Sequence, residues 1–307
     1  MPTRLDQLEK ESAPPKMTPS DYPFPVFALC PPVYVDNKIK NNPTMDEYKS
    51  EKMDRDKFLA QWYNFYNVLA ANSLVYLITP VRGLQDQTYV NSFAYLPHTK
   101  DTIILSNFTG EGRAGEELVA GDLLKDLGYK VVKCPHKFEG EPELKFLKEN
   151  IYLGGYGFRS DIKAHKWLES EFGCKIIPIK ETDEILYHLD CSVFVFDEYN
   201  VMLCAEIMER ETVREIERIA NVIPISRQDA YEGICNCVEV EDCVYNSSPL
   251  EFLRKSDEHY EAQKHKNDRL EAICRDLGQE IIYFDLSECE KSGAKLSCFV
   301  SRLNVVR

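Results

Sequence analysis

The stretch 115–135, GEELVAGDLLKDLGYKVVKCP, reads as an amphipathic helix over 115–128, closed by Gly128 and followed directly by a strand over 130–135. The same order recurs along the chain. Helices are expected at 53–72, 161–173, 208–221 and 257–277, and the strand-like runs SLVYLIT (73–79), KIIPIK (175–180), VIPIS (222–226) and IIYFDL (281–286) follow them. Gly173 and Gly278 stand where Gly128 does, at the helix ends. TIILSNF (102–108) and the segments 88–96, 145–154, 187–197, 201–207, 235–246 and 296–305 supply further strands between these pairs. Helices and strands alternate, which is the pattern of an α/β protein. Five helices at a spacing of roughly fifty residues point to five similar strand-and-helix units more than to a doubly wound sheet. Residues 1–23 hold five of the 16 prolines and few large apolar groups, so a flexible lead-in is expected there. VFALC (26–30) then opens a single domain over 24–307.

The 307 residues are 44% hydrophobic, 11% aromatic and 29% charged, which excludes collagen-like, mucin-like and wholly disordered chains. With 51 acidic against 37 basic side chains the net charge is -14, a field that repels nucleic acid and suits a small cationic substrate. The 11 cysteines are scattered and odd in number, so they read as reduced thiols of a cytoplasmic protein. The start of the chain carries no signal-like apolar run, and the longest lightly charged stretch, 67–81, contains Asn, Ser and Pro, so neither export nor a membrane span is expected. GGYGFRS (154–160) lacks the form of a phosphate-binding loop, and no nucleotide cofactor is expected. Cys235, Cys237 and Cys243 lack the spacing of a zinc site, and His259 and His265 lie on a charged helix, so no metal is expected either.

Three groups of residues could carry chemistry. Cys298 follows the small-residue turn Ser292-Gly293-Ala294 at or near the start of the last strand, where its thiolate could act as a nucleophile, although a lone thiol among 11 is ordinarily structural. His188 and Asp190, two apart in LYHLDCSVFVF, would share one face of a strand, as an acid/base and a cation anchor would require. Glu139, Glu141 and Glu143 in KFEGEPELKF show the same alternation around a Gly-Pro bend.

Taken in order, FALCPP (27–32), NNPTM (41–45), GLQD (83–86), GRAGEE (112–117), FEGEPE (138–143), GGYGFRSD (154–161), YHLDCSVF (187–194) and SGAKLSC (292–298) resemble the guanidino-group-modifying enzymes of the pentein superfamily. Within it the likeness is greatest to the arginine dihydrolases, the dimethylarginine dimethylaminohydrolase-like proteins and the amidinotransferases. The resemblance implies an α/β fold in the form of a five-bladed β/α propeller with a pseudo-fivefold repeat. It also implies a metal-free, Cys-dependent hydrolase that cleaves a C–N bond of arginine or an arginine derivative, by deimination or double deimination. Cys298 would be the nucleophile, His188 the acid/base, and Asp190 the grip on the guanidinium, with Glu141 or Glu143 as a second carboxylate. Arg159 and Arg113 would meet the substrate carboxylate and Asp86 its ammonium group, while Asn91 and Ser92 compete for a further substrate contact. Two departures are visible: FEGEPE stands where the family has FEGxGD, and TYVNSFA replaces the segment holding its substrate-facing Asn. An amidinotransferase with an amine acceptor, and a catalytically silent pentein that binds a ligand or partner protein, are the alternative readings. No membrane or nucleic-acid partner is implied, and a homo-oligomer is left open.

Overall fold

The computed structural model describes residues 17–46, 51–110 and 112–306; residues 1–16 of the expected lead-in lie outside the described residues. In chain order the elements are β1 (Val26–Leu29), α1 (Arg55–Asn72), β2 (Leu74–Leu77), β3 (Phe93–Leu96), β4 (Thr102–Leu105), α2 (Glu116–Asp126) and β5 (Lys130–Lys133). They continue as β6 (Leu144–Lys148), β7 (Ile151–Tyr156), α3 (Ile162–Phe172), β8 (Lys175–Lys180), β9 (Val193–Val195), β10 (Asn200–Leu203), α4 (Arg210–Glu217) and β11 (Asn221–Pro224). The last are α5 (Arg227–Tyr231), β12 (Val238–Val240), β13 (Cys243–Ser247), α6 (Tyr260–Leu277), β14 (Glu280–Phe284), α7 (Ser287–Glu290) and β15 (Ser301–Arg302).

The described strands form five sheets of three: β15-β1-β2, β3-β4-β5, β6-β7-β8, β9-β10-β11 and β12-β13-β14. Each repeats one pattern. Its central strand runs antiparallel to one neighbour and parallel to the other, and the parallel pair is joined through α1, α2, α3, α4 or α6. In the first sheet the antiparallel neighbour comes from the far end of the chain, where Phe27 and Ala28 pair with Arg302 and Ser301. The helix ends follow local chemistry: Asp54 accepts from the N–H groups of Asp56 and Lys57 at the start of α1, and Asp161 from that of Lys163 at the start of α3. Gly173 and Gly278 close α3 and α6 with φ of 68° and 73°.

The central strands β1 and β4 are buried along their whole length, and their runs VFAL and TIIL are correspondingly apolar apart from Thr102. Val26 and Ala28 pack with Ile103 and Leu105 of the second sheet, whereas Phe27 and Leu29 pack with Tyr245 and Phe284 of the fifth. Ile104 meets Tyr152 and Ile176, Leu153 and Ile177 meet Val201 and Leu203, and Met202 meets Val244. The five cores therefore join each sheet to the next and the fifth to the first. No helix among the described residues is long and apolar enough to cross a membrane.

The structure differs from the sequence reading at the segments between these units. The run 187–197 is a strand only over Val193–Val195, 88–96 only over Phe93–Leu96, and 296–305 begins with a 3-10 turn at Leu296–Phe299. His188 therefore lies in extended coil and Asp190 in the turn Leu189–Cys191, so the alternation of a strand does not relate them. Cys298 likewise sits inside its turn, ahead of β15. Glu141–Glu143 form another 3-10 turn, which sends Glu139, Glu141 and Glu143 in different directions. Part of the expected lead-in, Pro19–Asp21, forms a turn, and the carbonyls of Tyr22 and Phe24 accept from Asn304 Nδ2.

Candidate functional site

In every sheet the central strand and its parallel neighbour end at the same edge, and the segments leaving those ends carry the candidate residues. Asn41 follows β1, Asp86 and Asn91 follow β2, Arg113 follows β4, Glu139 follows β5, Arg159 follows β7, His188 and Asp190 follow β8, and Cys298 follows β14. This is the side on which α/β sheets collect ligands. Cys298, His188, Asp86, Asn91, Arg113 and Arg159 line one cavity there. Cys298 is held by its own turn, N–H to the Lys295 carbonyl at 3.2 Å, and by its carbonyl, which accepts from Val90 N at 2.7 Å.

His188 is buried, and its Nε2 lies 2.8 Å from Oε2 of Glu139. Burial opposes ionisation of Glu139, but the hydrogen bond and charge of His188, with Arg159 and Arg113, outweigh it and hold the carboxyl at about 2. The backbone that aims Glu139 depends on Gly140. Phe138 bridges to Asn107, and the chain then turns through φ +68° at Gly140, where a Cβ would stand 2.7 Å from the Phe93 carbonyl and 2.9 Å from Ser106 Oγ.

Burial and the charge of Asp190 push the Cys298 thiol up to about 12, while the Arg113 charge works in the opposite sense. Asp190 Oδ2 accepts from Ser297 Oγ at 2.8 Å, and that hydroxyl in turn accepts from Asn236 Nδ2 at 2.8 Å. Asp190 and Glu141 line a different cavity, and Glu141 Oε2 accepts from the Arg302 backbone N–H at 2.6 Å. Ser92 is buried without lining the cavity at Cys298.

Arg113 is bound by Glu116, at 2.7 Å to Oε2, and donates to the Tyr89 carbonyl at 2.7 Å. Arg159 stacks over Tyr187 at 4.8 Å, lies 3.6 Å from Glu139 and donates to the Asn41 carbonyl. The side-chain amide of Asn41 donates to Asp86, so one residue meets both an anionic and a cationic anchor. Burial pushes the Asp86 carboxyl up against the opposing charge of Arg113.

Glu143 lies apart from this cavity. It is fully buried beside Glu181 and against Gly155, where a Cβ would stand 2.9 Å from Glu181 Oε1. The two carboxyl groups face each other, an arrangement that a proton shared between them holds. Burial pushes both groups above the ordinary carboxylate range, Glu143 further because the charge of Glu181 opposes its ionisation. Raised folded-state values mean that the stability they contribute is present below the ordinary range and is lost as the pH rises through the raised one. Glu143→Gln is accordingly expected to flatten the fall of the thermal midpoint as the pH rises above the ordinary carboxylate range; a wild-type midpoint that keeps rising there would contradict the pairing.

Glu139 as the partner of His188, and Asn41 as the link between Asp86 and Arg159, were beyond sequence reasoning. The one local signal for Glu139 is the glycine that follows it, which marks a turn where alternation stops applying. Among the described residues no cluster of His, Cys, Asp or Glu could hold a metal ion.

Comparison with known proteins places this geometry among relatives. Residues 32–305 match the family described as N,N dimethylarginine dimethylhydrolase, eukaryotic. The bifunctional arginine dihydrolase/ornithine cyclodeaminase AgrE of Nostoc is 27% identical over 283 residues, 90% of this chain and 37% of that protein. The N(G),N(G)-dimethylarginine dimethylaminohydrolase of Mycobacterium tuberculosis is 29% identical, covering 89% of this chain and 83% of that one. Unliganded AgrE superposes with a TM-score of 0.78 at 26% identity over 92% of this chain and 40% of that chain. The chain thus spans well under half of the bifunctional relative.

Proposed function

Because the chain belongs to the eukaryotic N,N-dimethylarginine dimethylhydrolase family, we propose that it hydrolyses the guanidino group of arginine or an N-substituted arginine with Cys298 as nucleophile. The observation that carries this reading is the convergence of a thiol, an imidazole bound to a carboxylate, and separate anionic and cationic anchors on one cavity. The closed order of the five cores supports a five-bladed propeller around that cavity.

In this reading Asp86 takes the substrate ammonium and Arg159 its carboxylate, each releasing Asn41. Asn91 contributes a buried amide whose oxygen has no partner. Arg113, engaged by Glu116, fixes the positive end of the cavity. The guanidinium then lies against the sulfur and His188, which border the same cavity, while the charge of Asp190 acts on the sulfur from the wall behind it.

A guanidinium is resonance-stabilised and a poor electrophile, so a soft nucleophile and fixed carboxylates are needed together. At rest Cys298 is a thiol; the substrate cation offsets the charge of Asp190 and favours the thiolate. His188 takes the thiol proton as sulfur attacks the guanidine carbon and passes it to the departing nitrogen, and the amine leaves. Water then adds to the thiouronium with His188 as base, giving the ureido product and regenerating the thiol. Glu139 holds the imidazole and stabilises its charged form.

Two measurements test this. Incubation with arginine and with methylated arginines, assayed for citrulline, ornithine, ammonia and methylamines, is expected to give a ureido product; no product from any guanidine would overturn the reading. Addition of an unreactive guanidine amino acid at neutral pH is expected to raise thiolate absorbance in the wild type and not in Cys298→Ser.

A further inference from the structure

Two cavities meet at Cys298. The polar one described above holds about 30 Å³, and a cleft of about 560 Å³ shares Tyr187, His188, Ala294 and Cys298 with it. The cleft falls in the range of roughly 300–1,000 Å³ typical of small-molecule sites, far more than departing ammonia or dimethylamine requires. Ile185, Leu186, Ala230, Pro249 and Leu253 give it apolar wall. Its charged groups are already engaged: Lys291 lies 3.1 Å from Glu288, Lys295 3.7 Å from Glu290, and Glu232 accepts from Gln228 and Gln263. Lys57 and Glu51, which also line it, pair with Glu288 at 3.6 Å and with Lys291 at 3.5 Å.

The two cavities also divide the substrate. Charged anchors of both signs lie in the small one, so the amino-acid end belongs there, and the nitrogen that leaves must face His188 to receive its proton. His188 borders the cleft. Resting on the hydrolase reading, we propose that the cleft receives the N-substituent of the departing amine, and that the enzyme accepts guanidines bearing alkyl or arylalkyl groups larger than methyl. The chemistry balances without a further reactant. The S–C bond forms as the C–N bond to the substituted nitrogen breaks, that nitrogen takes the proton of His188 and leaves as a primary amine, and water replaces sulfur.

The test compares kcat/KM for arginine, Nω-methylarginine and Nω-butylarginine, reading citrulline and the released amine. Each methylene that becomes buried is expected to favour the substrate by about fourfold, so the butyl compound should match or exceed the methyl one. Ile185→Trp and Leu253→Trp fill the cleft from positions that are partly exposed and tolerate bulk. Both are expected to cut butylarginine turnover at least tenfold while changing arginine turnover less than threefold. Inert butylarginine alongside turnover of arginine or methylarginine overturns the assignment, as does equal loss of the short and long substrates in both variants. Absence of turnover with every guanidine overturns the hydrolase reading, and the assignment falls with it.

Discussion

Cys298→Ser is expected to lower guanidine turnover by at least about 10³-fold and to leave the thermal midpoint nearly unchanged. The chemical reason is the nucleophile: a hydroxyl is a far weaker nucleophile than a thiolate toward a resonance-stabilised carbon. The structural reason for an intact fold is that the turn is tied by backbone. The Cys298 N–H bonds to Lys295 and its carbonyl to Val90, and both bonds persist in the variant. Serine is also smaller than cysteine, so the buried site is not overpacked. Activity above a tenth of wild type would remove Cys298 from the mechanism.

The second large effect is expected at Glu139. Glu139→Gln keeps the shape and one hydrogen bond to His188 but removes the charge that stabilises the imidazolium, and kcat is expected to fall by roughly 10²- to 10⁴-fold. A pH profile separates this role from a merely structural one. The acid held at about 2 has a folded value below its ordinary 4.5, so the stability it contributes is present above about 4.5 and is lost as the pH falls through about 2. The variant should thus be less stable than wild type at neutral pH, with the gap closing in acid. Glu139→Asp, which restores the charge at a shorter reach, should recover part of kcat. Wild-type kcat in Glu139→Gln would contradict the pairing.

The repeated units were legible because their signals are local or continuous. A strand such as β1 is buried on both faces and reads as an unbroken apolar run, and α3 announces itself by Asp161 at one end and Gly173 at the other. Cys298, His188 and the arginines could be named because they follow such strands within recognisable motifs. The connecting turns could not be read the same way. His188 and Asp190 occupy coil and a 3-10 turn where a period of two has no meaning. Glu139 turns toward His188 because Gly140 adopts a positive φ between two close carbonyls, a constraint set by residues 91 and 93. The partner of Glu143 went unread for a related reason: Glu181 is far away in sequence and is brought close where the start of β6 lies beside the ends of β7 and β8. Asn41 joins Asp86 and Arg159 only after the first and third sheets have come together.

The central step is the bond between Cys298 and the guanidine carbon. Turnover of arginine labelled at that carbon, stopped rapidly with acid and followed by digestion and mass analysis, tests it directly. The prediction is label on the peptide containing Cys298 during turnover and none in Cys298→Ser. Steady release of labelled ureido product with label absent from that peptide, or label on another cysteine, would contradict it.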